Sequence, residues 1–209
     1  MDVHLSNNSM KNTINPRPFV LAAVILAAGA FRLLMASGTL TPFANFTPLG
    51  AMALFGGCYY RDKWKAYLVP LLTLWLTDIL LNRFLFFHKW VFFYEGFAWV
   101  YASFALMVLI GHYIKRVSFK SVVLSAVAGA VVHWLVSDMG VWLGGGMDIT
   151  TGLPYTRDWH GLMMCYYLAL PFMKNLLIGN LVFGAVFFGV FELLQKQFPI
   201  LQLETSPIK

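Results

Sequence analysis

FVLAAVILAAGAFRLLMA, residues 19–36, is an unbroken run of eighteen residues in which Arg32 is the one charged side chain. A helix rises about 1.5 Å per residue, so such a run reaches across most of a hydrocarbon core about 30 Å thick. A secretory signal competes with this reading, because Lys11 and Arg17 precede the run and Ala36-Ser37-Gly38 resembles a cleavage site. The apolar part of a signal is usually about 7–15 residues long, so the run is read as a retained first helix.

Five further runs follow: Phe46–Tyr60, Trp64–Leu81, Val91–Ile114, Val122–Leu143 and Leu176–Leu194. The second is short, with Pro48 near its start. Leu162–Phe172 is also apolar, but its length makes only about 16 Å of helix. Pro171, Lys174 and Asn175 then interrupt it, so it is expected to lie on or dip into the outer side without crossing. Composition agrees: 59% of the chain is hydrophobic, 11% is charged and the mean hydropathy is +0.70. Soluble domains lie near 45–50% apolar and about 25% charged. The expected fold is an all-α integral membrane bundle of six transmembrane helices, with a long outer loop before the last helix. Residues 1–15 and 197–209 are expected to be cytoplasmic tails, and 16–196 the membrane domain.

The net charge of +6 does not point to nucleic acid, because the basic residues fall between apolar runs, where they set orientation. With the N-terminus inside, the inner segments hold Lys11, Arg17, Arg61, Lys63, Lys65, Lys115, Arg116, Lys120, Lys196 and Lys209. The outer connections hold Arg83, Lys89 and Arg157. This bias requires an even number of crossings and places both termini on the cytoplasmic side, in a bacterial inner membrane.

Ionisable groups inside a span cost a few kcal/mol each, so each asks for a reason. Asp78, Glu95, Asp138, Arg32 and Lys174 come from five different helices yet share one depth near the outer surface. Trp75, Asp78 and Asn82 lie on one helical face, as do Trp134, Asp138 and Trp142, and Glu95 pairs with Trp99 at i, i+4. Together with Asn175 and the outer loop 144–175, these faces are expected to line an outward ligand pocket. The competing reading is a structural ion-pair network among interfacial aromatics.

Catalytic chemistry finds little footing. No HExxH, Cys-x-x-Cys or Walker A sequence occurs, and His133 and Asp138 are about 140° apart around a helix. Cys58 and Cys165 fall near opposite membrane faces and are not expected to pair. Cys58 reads as packing, and Cys165 with His160 is too little to assign a metal. The chain is expected to have no catalytic residues, no metal and no cofactor, and not to be an enzyme.

Asn45-Phe46-Thr47-Pro48-Leu49-Gly50-Ala51-Met52-Ala53-Leu54-Phe55-Gly56-Gly57 resembles a motif of a bacterial family of uncharacterised small membrane proteins, a domain of unknown function. Pro70…Thr77-Asp78 and Gly161-Leu162…Cys165-Tyr166…Pro171-Phe172 resemble the same family, over about residues 18–195. More distantly, six helices with an outward pocket resemble the substrate-binding S-components of energy-coupling-factor vitamin importers. That resemblance implies a small vitamin or metabolite as ligand and an ATPase coupling module as partner. It would place partner-helix packing on the small residues Ala23, Ala27 and Ala30 of helix one. Two functions from different classes are thus expected: a small-molecule transporter or its binding subunit, with a neutral or cationic, partly aromatic ligand, or a structural or assembly membrane protein with no ligand. Beyond the ligand and coupling module, the one expected partner is the lipid bilayer.

Overall fold

The computed structural model describes residues 16–36 and 45–202, the side chains of 35 and 36 excepted. Among them are six α-helices: α1 (Arg17–Ala36), α2 (Leu49–Tyr59), α3 (Lys63–Leu81), α4 (Phe97–His112), α5 (Phe119–Gly144) and α6 (Trp159–Gln197). A π-helical turn, Asn82–Phe86, extends α3, and a 3-10 turn, Pro199–Leu201, follows α6. Four helices (α1, α3 with its extension, α5 and α6) are long and apolar enough to cross a membrane. α2 and α4, with 11 and 16 residues, are shorter.

α2 is short because it is the hub rather than a wall. It touches each of the other five helices, and ten of its eleven residues are buried. A helix apolar all round belongs inside a bundle, which explains the composition LGAMALFGGCY. The closest approach is to α4. A β-carbon on Gly57 would lie 2.0 Å from the Val108 carbonyl oxygen, and one on Gly111 would lie 2.2 Å from that of Leu54. The two backbones therefore touch through a reciprocal pair of glycines, the usual way membrane helices approach closely. Below this crossing, Phe55 packs against Tyr59, Phe188 and Phe191 with ring centroids 4.8–5.6 Å apart.

Two helix boundaries differ from the sequence reading. The fourth run was expected to be helical from Val91, but α4 starts only after its N-cap Gly96, which lies in the left-handed region (φ 80°), and Val91–Glu95 form part of the connection. The larger correction concerns the last helix. Leu162–Phe172 is not a separate, non-spanning segment: it is continuous with the expected sixth helix in a single 39-residue α6. Its start is fixed by Asp158, whose side chain accepts a 2.8 Å hydrogen bond from the Gly161 N–H, an N-cap of ordinary kind. Pro171 sits inside α6. It removes one backbone donor, which transmembrane helices tolerate. The expected long outer loop thus shrinks to residues 145–158, closed by the Met147–Pro154 bridge. At about 58 Å, α6 is longer than a hydrocarbon core is thick.

Residues just beyond α6 pack back onto the bundle. Leu201 is buried, and its carbonyl accepts a hydrogen bond from the buried Arg17 guanidinium. Arg17 also donates to the Tyr59 carbonyl (3.1 Å) and lies over the rings of Tyr59 and Phe191. The amino end of α1, the carboxyl end of α2 and the end of α6 are therefore tied together.

Candidate functional site

At the opposite end of α1, Arg32 forms the centre of a polar cluster. Its Nη2 lies 2.6 Å from Asp78 Oδ1, and its Nη1 donates to Thr77 Oγ1 at 2.6 Å. The other Asp78 oxygen accepts from the Tyr101 hydroxyl at 2.8 Å. α1, α3 and α4 are thus joined through one buried carboxylate, and a charge that would be prohibitive alone is matched where it sits.

Arg32 also borders a cavity of about 290 Å³. The cavity lies at the amino end of α2, which starts at Leu49, and residues of the five surrounding helices enclose it. Leu49 of α2 and Thr47, two residues before it, border the cavity, and Leu74, Val100, Phe104, Val141 and Leu176 form its apolar sides. Besides Thr47, the polar groups are Arg32, Asn45, Tyr94, His133 and Ser137. Ser137 Oγ and His133 Nδ1 are 3.3 Å apart, and the His133 ring meets Phe104 edge-on at 5.1 Å. Burial and the neighbouring Asp78 charge push the Tyr94 hydroxyl up from its ordinary pKa, so it stays protonated. A guanidinium has five N–H donors, and Thr77 and Asp78 engage two of its nitrogens. No side chain caps α2, so its first-turn N–H groups also lack acceptors within the helix. The cavity therefore combines an apolar body with a rim rich in donors.

One turn inward from Leu176 on the same face of α6, Asn180 is fully buried. Its Nδ2 donates to the Ala126 carbonyl at 3.3 Å, while Oδ1 has no hydrogen-bond partner among the described residues. That oxygen lies 2.0 Å from where a β-carbon on Gly50 would be. Only glycine at position 50 lets Asn180 pack beside the first turn of α2.

The nine side chains expected to line a pocket do not converge on this cavity. Asp78 stands behind it, through Arg32. Trp75 donates its indole N–H to the Phe92 carbonyl (3.1 Å), and Asn82 donates to Val91 (3.0 Å). The shared face of Trp75 and Asn82 therefore clamps the α3–α4 connection. Trp134 donates to the Tyr166 carbonyl, and Trp142 donates to Thr156 and is covered by Arg157. Trp99 packs over Gly140. The indoles of Trp75, Trp134 and Trp142 anchor neighbouring chain by their N–H groups, as Trp does where one edge is polar. Glu95 and Lys174 are exposed, and Asp138 and Asn175 are half-buried. Ala23, Ala27 and Ala30 lie on the exposed side of α1.

The loop 145–158 contributes nothing to the cavity lining. It is held by its own bonds: Asp148 accepts from the Thr150 N–H and hydroxyl at 2.7 and 2.6 Å, which holds its carboxyl below the usual range. Cys165 is buried with its sulfur 3.5 Å from the Asp138 carbonyl, while His160 is exposed. Among the described residues no group of three or more His, Cys, Asp or Glu side chains is placed to hold a metal ion.

Arg32, Tyr94, His133 and Ser137 were missed as a group. The i, i+4 spacing of His133 and Ser137 was readable, whereas Tyr94 reaches the site through the fold of its connection.

No curated protein and no solved structure matches the chain. A family match extends from residue 12 to residue 201, nearly the whole length, and includes the motif at 45–57 that builds α2 and the edge of the cavity: the chain belongs to the family described as "Family of unknown function (DUF6580)".

Proposed function

We propose that the protein is a multi-pass membrane protein that binds a small metabolite in the cavity above α2. It would act as a transporter or as its substrate-binding subunit. The observation that carries this reading is the cavity itself, bordered by side chains from all six helices and furnished with several hydrogen-bond donors. Small-molecule sites are concave, mostly apolar and furnished with a few placed polar groups. Transporters also set the amino ends of discontinuous helices beside the acceptor groups of their substrates. The donor-rich rim favours a ligand with an apolar body and a neutral acceptor or singly anionic head, rather than the cationic ligand that the acidic residues alone suggested.

In this reading all six helices lie within the bilayer, with α2 and α4 completing the bundle and both termini cytoplasmic. The distant likeness to vitamin-importer S-components fits here as a proposal. The exposed alanines of α1 would then face a coupling module driven by an ATPase. The reading is of a binding protein rather than an enzyme, and it calls for no metal or cofactor.

A thermal-shift screen of the purified protein against vitamins and small carboxylic metabolites tests the proposal, with Ser137→Ala and His133→Phe as site variants. A compound that stabilises the parent protein and loses at least most of that effect in the variants supports it. Equal stabilisation of parent and variants would move the site elsewhere.

One observation favours a second reading, that of a structural or assembly protein: Asp78 finds its partners within the protein, in Arg32 and Tyr101. In that reading, substitutions around Arg32 change stability alone and no compound is bound.

A further inference from the structure

We infer that the face of α3 turned away from the bundle is a binding site for one anionic phospholipid of the leaflet at the basic end of the molecule. The inference rests on the membrane placement, not on the cavity or its ligand. Trp64, Tyr67, Leu68, Leu71, Leu72 and Trp75 line a groove of about 570 Å³ with a nearly wholly apolar wall. Their spacing of three and four residues makes one continuous stripe along the helix. From Trp64 to Trp75 the stripe rises about 16 Å. That is about half of a 30 Å hydrocarbon core, the depth of one leaflet.

Phe93 and Tyr101 complete the groove, at the Trp75 end. The polar atoms of that end are turned into the protein. The Trp75 indole N–H donates to Phe92 and the Tyr101 hydroxyl donates to Asp78. Their ring faces are left for an acyl chain, and nothing polar is offered to a headgroup there.

The other end has the opposite character. Arg61, Lys63 and Trp64 are exposed, and Lys65 lies over the Trp64 ring at 5.3 Å. Lys65 is paired with Asp62 at 2.5 Å, whereas Arg61 and Lys63 form no ion pair among the described residues. A phosphate-bearing head between Arg61 and Lys63, with its chain along the stripe, satisfies both ends. The charge complementarity selects an anionic lipid over a zwitterionic one, at about 1 kcal/mol per basic residue near the surface.

Native mass spectrometry of the full chain in mild detergent tests this, with phosphatidylglycerol and phosphatidylcholine of identical acyl chains as probes. The expected result is retention of one phosphatidylglycerol with a preference of about thirtyfold, the product of two such residues. The double variant Arg61→Ala/Lys63→Ala should bring the preference close to unity, while Lys115→Ala/Arg116→Ala at the neighbouring basic connection should keep it. Leu68→Trp, and independently Leu72→Trp, should lower retention of both lipids, because each adds bulk at a half-exposed position of the groove. Equal retention of the two lipids overturns the proposal. So does a preference that survives Arg61→Ala/Lys63→Ala or that vanishes equally in Lys115→Ala/Arg116→Ala, or retention indifferent to both tryptophan variants. Ser137→Phe in the cavity should change none of these readouts, so failure here and failure of the cavity reading are distinguishable.

Discussion

Arg17 and Arg32 stand at opposite ends of α1, and both are largely withdrawn from solvent. Arg17 donates to two backbone carbonyls and lies over two aromatic rings. Its surroundings are closed, and the result is a seam joining α1, α2 and the turn after α6. Arg32 pairs with a carboxylate and a threonine on one side and borders open space on the other. The difference lies in α2. Its carboxyl end reaches the level of Arg17 and supplies the Tyr59 carbonyl, while its amino end stops short near Arg32 and leaves the cavity. Burial of a charge therefore does not identify a site; a matched charge with room beside it does.

The largest expected effect tests the Arg32 side. Asp78→Leu leaves a buried guanidinium without its counter-charge and should destabilise by about 3–5 kcal/mol. The double variant Arg32→Met/Asp78→Leu should regain most of that loss, as read by thermal unfolding in detergent. A single variant as stable as its parent would remove the ion pair from the account. Next comes the hub that both ends depend on. Gly57→Ala drives a β-carbon into the Val108 carbonyl and should cost up to about 3 kcal/mol by overpacking. Gly189→Ala, where the added carbon meets nothing within 4 Å, should be silent in the same assay.

Arg17→Met should cost about 2 kcal/mol through lost charged hydrogen bonds and ring contacts. It should also raise hydrogen exchange at 198–202, and ligand stabilisation should be unchanged. Weakened ligand binding in Arg17→Met would erase the contrast between the two arginines.

The smallest effect belongs to Asp158. Its carboxyl is held below the usual range chiefly by the Gly161 N–H, with the Thr156 hydroxyl assisting. A depressed folded value means that this contribution is complete above the unfolded value near 4 and is lost as pH falls below it. Amide protection at the start of α6, taken as exchange relative to its intrinsic rate at each pH, should fall below about pH 4 in the parent, and Asp158→Asn should flatten that dependence.

The bundle was largely legible because apolar runs of helical length announce themselves, and all six became helices. The character of α2 was half visible: its shortness and its glycines could be read, but its place at the centre could not, since no local pattern says which neighbours surround a helix. The start of α6 was readable and was outweighed. Asp158 precedes a helical run as an N-cap should, but Pro171 and Lys174 were given more weight than a membrane helix warrants.

The site was less legible, for a physical reason. Acid and tryptophan faces advertise themselves by spacing, yet the indoles of Trp75, Trp134 and Trp142 are committed to backbone carbonyls and Asp78 is committed to Arg32. The cavity is made instead by where α2 ends, and it recruits Tyr94 from a connection and His133 from a part of α5 that shares no face with Asp138.

Filling the cavity tests the central claim most directly. Ser137→Phe and Val100→Phe each place a ring in the space beside Arg32 while leaving the Arg32–Asp78 pair intact. The measurement is the ligand-induced shift in melting temperature for the parent and the two filled proteins, using whichever metabolite stabilises the parent. The account predicts folded variants in which that shift is abolished. A ligand that stabilises parent and filled proteins alike would contradict it.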